Sequence, residues 1–174
     1  LIAKKLAEDY GSEIFVHAPL EELMAQKKNE DFKNFHVRRF KIIGPKGLAV
    51  FRTGSIREKF DVVHSYHYGY FPASAGFRYA RKTKTPHFMT TAYHPHQLSR
   101  TRKALFRLYN SIEGKKILKN SSAVMPFNKN EMQQLRSISD GDYTAIPSPI
   151  NTDIFYPRKK KNRQLVIGYV GNLL

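Results

Sequence analysis

Apolar positions along the chain follow two rhythms. Short runs rich in β-branched and aromatic residues fall at 12–18, 35–43, 61–65, 85–91, 122–127 and 143–146, each bounded by turn-forming residues, and these read as strands. Between them the spacing turns helical. Residues 2–9 put Ile2 and Leu6 on one face with Ala3 and Ala7 beside them, and Gly11 is placed to end that helix. Residues 73–84 predict a helix with small residues on one side, suited to lying close on a sheet. In 100–120, the most charged segment, Leu105, Leu108, Tyr109 and Ile112 recur at i, i+3, i+4, i+7. They make one apolar stripe expected to pack inward, with Arg100, Lys103 and Arg107 on the opposite side. The phase is lost after Gly114, which predicts a kink or a second short helix. Asn128 followed by Glu131 has capping-box spacing and opens a helix over 129–138. Weaker patterns predict a short helix at 20–27 and another at 48–60, after the Gly44-Pro45 break.

Strand and helix alternate without a hairpin signal, so the expected class is α/β: a Rossmann-like parallel sheet with helices on both faces. A helix leading into the first visible strand is an odd beginning for a β–α–β fold, and a further strand is expected upstream. Residues 1–157 form the expected domain, 158–163 a basic linker, and 164–174 the first strand of a following domain. In an open parallel sheet ligands bind at the carboxyl edge, where loops and helix N-termini converge. That singles out 85–97, TPHFMTTAYHPHQ, in which a short buried strand runs into Tyr93, His94, Pro95 and His96. The strand at 61–65, with His64 inside it and His67 just beyond, is expected to lie beside it.

Composition adds charge to this picture. Thirty Lys and Arg against 14 Asp and Glu give +16 and a pI near 10.1, a balance that attracts nucleic acid, an anionic membrane face or a phosphorylated substrate without choosing among them. No cysteine is present, which excludes disulfides, thiol catalysis and Cys-ligated zinc and fits a reducing cytoplasm. No run approaches the roughly 18 apolar residues that cross a bilayer.

Several stretches together resemble the retaining GT-B glycosyltransferases of the glycosyltransferase 4 type. DVVHSYH at 61–67 is similar to that family's Asp-Val-Val-His strand and the His loop after it, and 91–94 to its strand ending in Thr or Ser, two variable positions and His. Glu113 and SSAVMPFNKNEMQQL at 121–135 resemble its basic helix, next strand and helix cap. IPSPINTDIFYP at 146–157 is similar to the crossover Ile-Pro-Asn-Gly-Val-Asp-Thr-x-x-Phe-x-Pro, and VIGYVGNL at 166–173 looks like the first strand of the second domain. The resemblance implies the N-terminal, acceptor-side half of a two-domain enzyme that moves a sugar from a nucleotide-sugar donor to a glycan or lipid-linked acceptor with retention. It implies no metal and no cofactor. His94 would sit near the transferred sugar as the catalytic residue, His67, Tyr93 and His96 would border the acceptor, and Gly171 and Asn172 would form the donor edge. The pattern departs from the family where Ser148-Pro149 replaces Asn-Gly and where Asn172 stands in place of the usual Arg. The family's first strand with its Gly-rich loop, and the rest of its donor domain, lie outside these 174 residues.

Other readings carry less of the sequence. His64 reads as a strand-end residue satisfied locally; His67 and His96 either line a pocket or stand in solvent. Two His pairs could converge on a metal, but His64 and His67 span a strand end and no carboxylate lies near either pair. A basic nucleic-acid- or anion-binding module without catalysis is the alternative function, although no RRM, KH or zinc-finger pattern is present. A dinucleotide-binding domain lacks its Gly-x-Gly-x-x-Gly. The basic residues Arg100, Arg102, Lys103, Arg107, Lys115, Lys116 and Lys119, with Glu113 the one acid among them, predict attraction to an anionic membrane surface or lipid phosphate. The matching location is the cytoplasm, peripheral on the inner face of the membrane.

Overall fold

The computed structural model describes residues 2–20, 27–41, 56, 58–93, 100–152, 154 and 156. The helices expected at 20–27 and 48–60 fall mostly outside these residues, as do the linker at 158–163 and the strand at 164–170. The chain is mixed α/β, with a parallel sheet flanked by helices. Helix α1 (Ile2–Tyr10) leads into β1 (Ile14–Leu20), followed by β2 (Asn29–Phe32) and β3 (Phe35–Lys41). Then come β4 (Val63–Tyr66), α2 (Phe71–Thr83) and β5 (His87–Thr90). Helix α3 (Arg100–Tyr109), a π-helical turn (Asn110–Gly114) and α4 (Lys115–Asn120) follow, and β6 (Ala123–Met125) and α5 (Lys129–Arg136) complete the set.

The strands divide into two three-stranded sheets, ordered β1-β3-β2 and β4-β5-β6. The second is parallel throughout, and Tyr143 extends it by one parallel bridge to Val124 where a strand over 143–146 was expected. The first departs from the all-parallel expectation: β1 and β3 are parallel, but β2 returns antiparallel across a turn at Lys33 and Asn34. Asn29–Phe32 has neither alternation nor β-branched residues to announce a strand. Its register is instead marked by charge, with Asp31 beside Arg38 (2.6 Å) and His36 (2.6 Å) and Glu30 against Arg39. Phe60 links this sheet to α2, its ring lying 5.5 Å from Phe15, 5.8 Å from His17 and 5.6 Å from Tyr79.

The core gathers on one face of the β4-β5-β6 sheet. Met89 and Val124 pair across β5 and β6 and pack with Ala73 and Phe77 of α2, Ile117 and Leu118 of α4, and Leu135 and Tyr143. The small face of α2 works as the sequence predicts: Gly76 lies so close to β4 that a Cβ there would stand 2.1 Å from Ser65 Oγ. A side chain at 76 would have to displace that hydroxyl, which is the one bonded to His87.

The expected inward stripe of the charged helix is rotated. Of its four residues Tyr109 packs inward as expected, 5.7 Å from the Tyr68 ring and joined there by Phe106 at 5.8 Å, while Leu105, Leu108 and Ile112 are 57, 56 and 60% exposed. Two adjacent stripes competed for the core, and the aromatic one, which buries more surface per residue, took it. The expected loss of phase near Gly114 is real. The π turn inserts there, and Gly114 is buried against Tyr68 and Asn110.

A buried imidazole crosses the sheet beneath α2. Ser121 donates its hydroxyl to the Ile117 carbonyl (2.6 Å), so it accepts from His87 Nδ1 (2.9 Å), and His87 Nε2 then accepts from Ser65 Oγ (3.0 Å). Both nitrogens are satisfied in the neutral ring, and burial pushes the pKa of His87 down from 6.5 to about 4. On acidification the unfolded chain takes up this proton first. The stability tied to neutral His87 is therefore complete above pH 6.5 and is lost as pH falls toward 4, a change on the order of 3 kcal/mol. Urea denaturation at a series of pH values should show that slope, and His87→Gln should flatten it. An unchanged slope in the variant would place the acid sensitivity elsewhere.

Candidate functional site

The carboxyl ends of β4, β5 and β6 open on one edge, and the chain leaves β4 and β5 in an unusual way. After β4, His67 has φ of 66° and Gly69 of 85°. After β5, Ala92 has φ of 44°. Of the three non-glycine residues with positive φ among the described residues, two stand on this edge; the third, Lys84, caps α2. Such conformations cost free energy and persist only where neighbouring contacts over-determine them.

Those contacts are visible. His67 N donates to Thr90 O (3.0 Å), Tyr68 N to Thr91 O (2.7 Å) and Thr91 N to Met125 O (3.3 Å), so the pairing outlasts the strands. The decisive group is Glu131, which is 4% exposed. Its carboxylate accepts from Thr91 Oγ1 (2.5 Å), Tyr93 N (2.6 Å) and Phe127 N (2.7 Å). Asn128 caps α5 as its spacing predicts, Oδ1 accepting from Glu131 N at 2.8 Å. The Glu131 side chain is not spent on the Asn128 amide that a capping box would use. It reaches the amide one residue ahead of the cap and, across the sheet, ties the turn after β5 to the start of α5. Three donors directed at one buried carboxylate satisfy it without need of a cation.

Around this frame stands an aromatic rim. Tyr66, 42% exposed, lies 5.4 Å from His67 and 6.2 Å from Phe127; His67 lies 5.7 Å from Tyr70, which is 56% exposed. Of the residues the sequence singled out, His67 is on this edge and exposed. Tyr93 is there too, but its ring is stacked on Phe106 at 5.5 Å and set edge-on to Tyr68 at 5.8 Å, so it joins the packing beneath the rim. His94 and His96 lie outside the described residues, as do Gly171 and Asn172. His64 behaves as a strand residue satisfied in place: Nε2 shares a hydrogen bond with Thr90 Oγ1 (2.8 Å), and desolvation lowers its pKa. Among the described residues no group of three or more His, Asp or Glu could hold a metal ion.

Glu131 and His87 are what sequence reasoning missed in function or place. The Asn128-to-Glu131 spacing signalled a local cap and was silent on a partner 40 residues away. Glu113, at 18% side-chain exposure, is held by a two-pronged contact from Arg78 (2.7 and 2.9 Å) that braces the π turn against α2.

No protein-family model matches this chain, and no curated protein matches it. The edge must therefore be judged on its own geometry. It combines strained turns at the carboxyl edge of a parallel sheet, a buried carboxylate that braces them, and an exposed fringe of Tyr66, His67 and Tyr70.

Glu131→Gln tests the brace. A Gln keeps the shape but turns an NH₂ group toward backbone donors, so it should cost about 2–3 kcal/mol in chemical denaturation, the scale for losing a charged, buried hydrogen bond. A loss within about 0.5 kcal/mol, the range for surface substitutions, would show that the brace carries little of the fold.

Proposed function

We propose that this domain is the acceptor-side half of a retaining GT-B glycosyltransferase, moving a sugar from a nucleotide-sugar donor to a glycan or lipid-linked acceptor. The observation that supports it most is the geometry of the turn after β5. The segment 91–93, at the carboxyl edge of a parallel sheet, is strained at Ala92 and fastened at both ends by Glu131, and His94 is the next residue in the sequence. A catalytic group that acts by position benefits from such a mount, because preorganised hydrogen-bonding groups act without reorganising during the reaction.

In this reading His94 is the catalytic residue. It hydrogen-bonds the transferred sugar near the donor phosphate and, when protonated, stabilises developing charge. The donor phosphates act as the leaving group while the acceptor hydroxyl attacks from the same face. His67 and His96 border the acceptor. Tyr66 and Tyr70 add amphipathic ring faces suited to the apolar face of a sugar, with hydroxyls for its edges. Tyr93 contributes through its backbone and by packing. Gly171 and Asn172 form the near edge of the donor site, and a following domain holds most of the nucleotide.

The test uses the complete enzyme. His94→Ala should lower kcat by about 10²-fold or more while leaving the melting temperature unchanged. His64→Ala, which removes a ring bonded to Thr90, should lower stability first and activity only through that loss. Near-full kcat in His94→Ala, with His67→Ala inactive yet folded, would move the chemistry to the β4 loop. Absence of any sugar transfer, with tight binding to nucleic acid instead, would favour a catalytically silent anion-binding module.

A further inference from the structure

The outward side of α3 is apolar where a solvated helix should be polar. Leu105, Leu108 and Ile112 follow one another at three- and four-residue steps and are more than half exposed, while Phe106 and Tyr109 supply that helix's packing. The surroundings are strongly basic. Residues 100–120 hold seven Lys and Arg against the single acid Glu113, which Arg78 already engages. Arg100, Lys103, Arg107, Lys115, Lys116 and Lys119 are all exposed. Where the stripe ends, a shallow cleft of about 390 Å³ opens between α2 and the π turn, lined by Phe77, Arg78, Arg81, Ile112, Glu113 and Lys116. With Arg78 held by Glu113, Arg81 and Lys116 give this cleft its positive charge.

We propose that this face lies on an anionic phospholipid bilayer. Leu105, Leu108 and Ile112 enter the boundary between headgroups and acyl chains, the cleft beside Ile112 takes one headgroup phosphate between Arg81 and Lys116, and the other cations of 100–120 add longer-range attraction to the anionic surface. Exposed leucines bordered by Lys and Arg on one helix are the pattern of an interfacial helix, whose binding adds buried apolar area to electrostatic attraction. Charge complementarity selects this occupant. A second copy meeting the face symmetrically would set these cations against their own equivalents, which like-charge repulsion opposes. A nucleic acid would use the cations and leave the leucines in water. Among the described residues no helix is long and apolar enough to cross a membrane, so the contact is with the surface.

The chain contains no tryptophan, so one introduced on the stripe reports on it alone. The emission of the Leu108→Trp variant should shift to the blue with vesicles of phosphatidylcholine containing phosphatidylglycerol, and stay put with phosphatidylcholine alone. Tyr10→Trp, at a position 78% exposed on α1, should not move with either. In flotation with the anionic vesicles, Leu105→Ser with Ile112→Ser should weaken partitioning by about tenfold or more, since both apolar side chains leave the interface. What binding is left should vanish in high salt, whereas the parent should retain part of its own. Both serines replace exposed side chains, so an unchanged melting temperature confirms the fold. The proposal fails if no vesicle is bound, or if the Leu108→Trp emission does not shift while salt alone releases the protein. It also fails if the shift appears without lipid as protein concentration rises, which would give the face to a second copy, or if only RNA is bound. None of these readouts involves sugar transfer, so this result and that of the proposed activity stand or fall separately.

Discussion

A buried carboxylate held by three uncharged donors governs the carboxyl edge of this fold. Leaving Glu131 unpaired at 4% exposure would cost several kcal/mol, and the chain offsets this by aiming donors at it from two segments far apart in sequence, the turn at Thr91 and Tyr93 and the turn at Phe127. The arrangement is mutual. The donors stabilise the charge, and the charge fixes the donors, including the Tyr93 amide just past the strained Ala92. Without that fixed point the turn after β5 would have no reason to keep a positive φ at an alanine.

The rest of the sheet and its helices are arranged so that this edge can exist. Gly76 lets α2 close on β4, the Ser121–His87–Ser65 chain ties three segments beneath it, and Tyr68 with its hydroxyl on Asn110 (2.8 Å) carries the packing up to the π turn. Tyr68 is 2% exposed and contacts Tyr93, Phe106 and Tyr109, so the loop after β4, the turn after β5 and helix α3 share one aromatic cluster.

Much of this was legible. The three parallel strands announced themselves by apolar runs at 61–65, 85–91 and 122–127, and Asn128 marked the start of α5 because a cap is a local signal. What was not legible is long-range or balanced. Glu131 has the same spacing to Asn128 whether it closes its own cap or reaches Thr91. Helix α3 carries two neighbouring apolar stripes, and periodicity alone cannot say which one a facing Tyr68 will select. The hairpin of β2 and β3 rests on cross-strand charges at Asp31, Arg38, Glu30 and Arg39 rather than on hydrophobic alternation.

The most direct measurement of the central claim is native-state amide hydrogen exchange on the unaltered protein. Tyr93 and Phe127 lie outside every strand and helix, and such amides ordinarily exchange through local opening in a small fraction of the time needed for global unfolding. If Glu131 holds them, their protection should match that of Met89 and Val124 in the sheet interior and fall together with it as denaturant is added. Rapid exchange at both amides, with the sheet still protected, would contradict the account and leave the candidate site without its anchor.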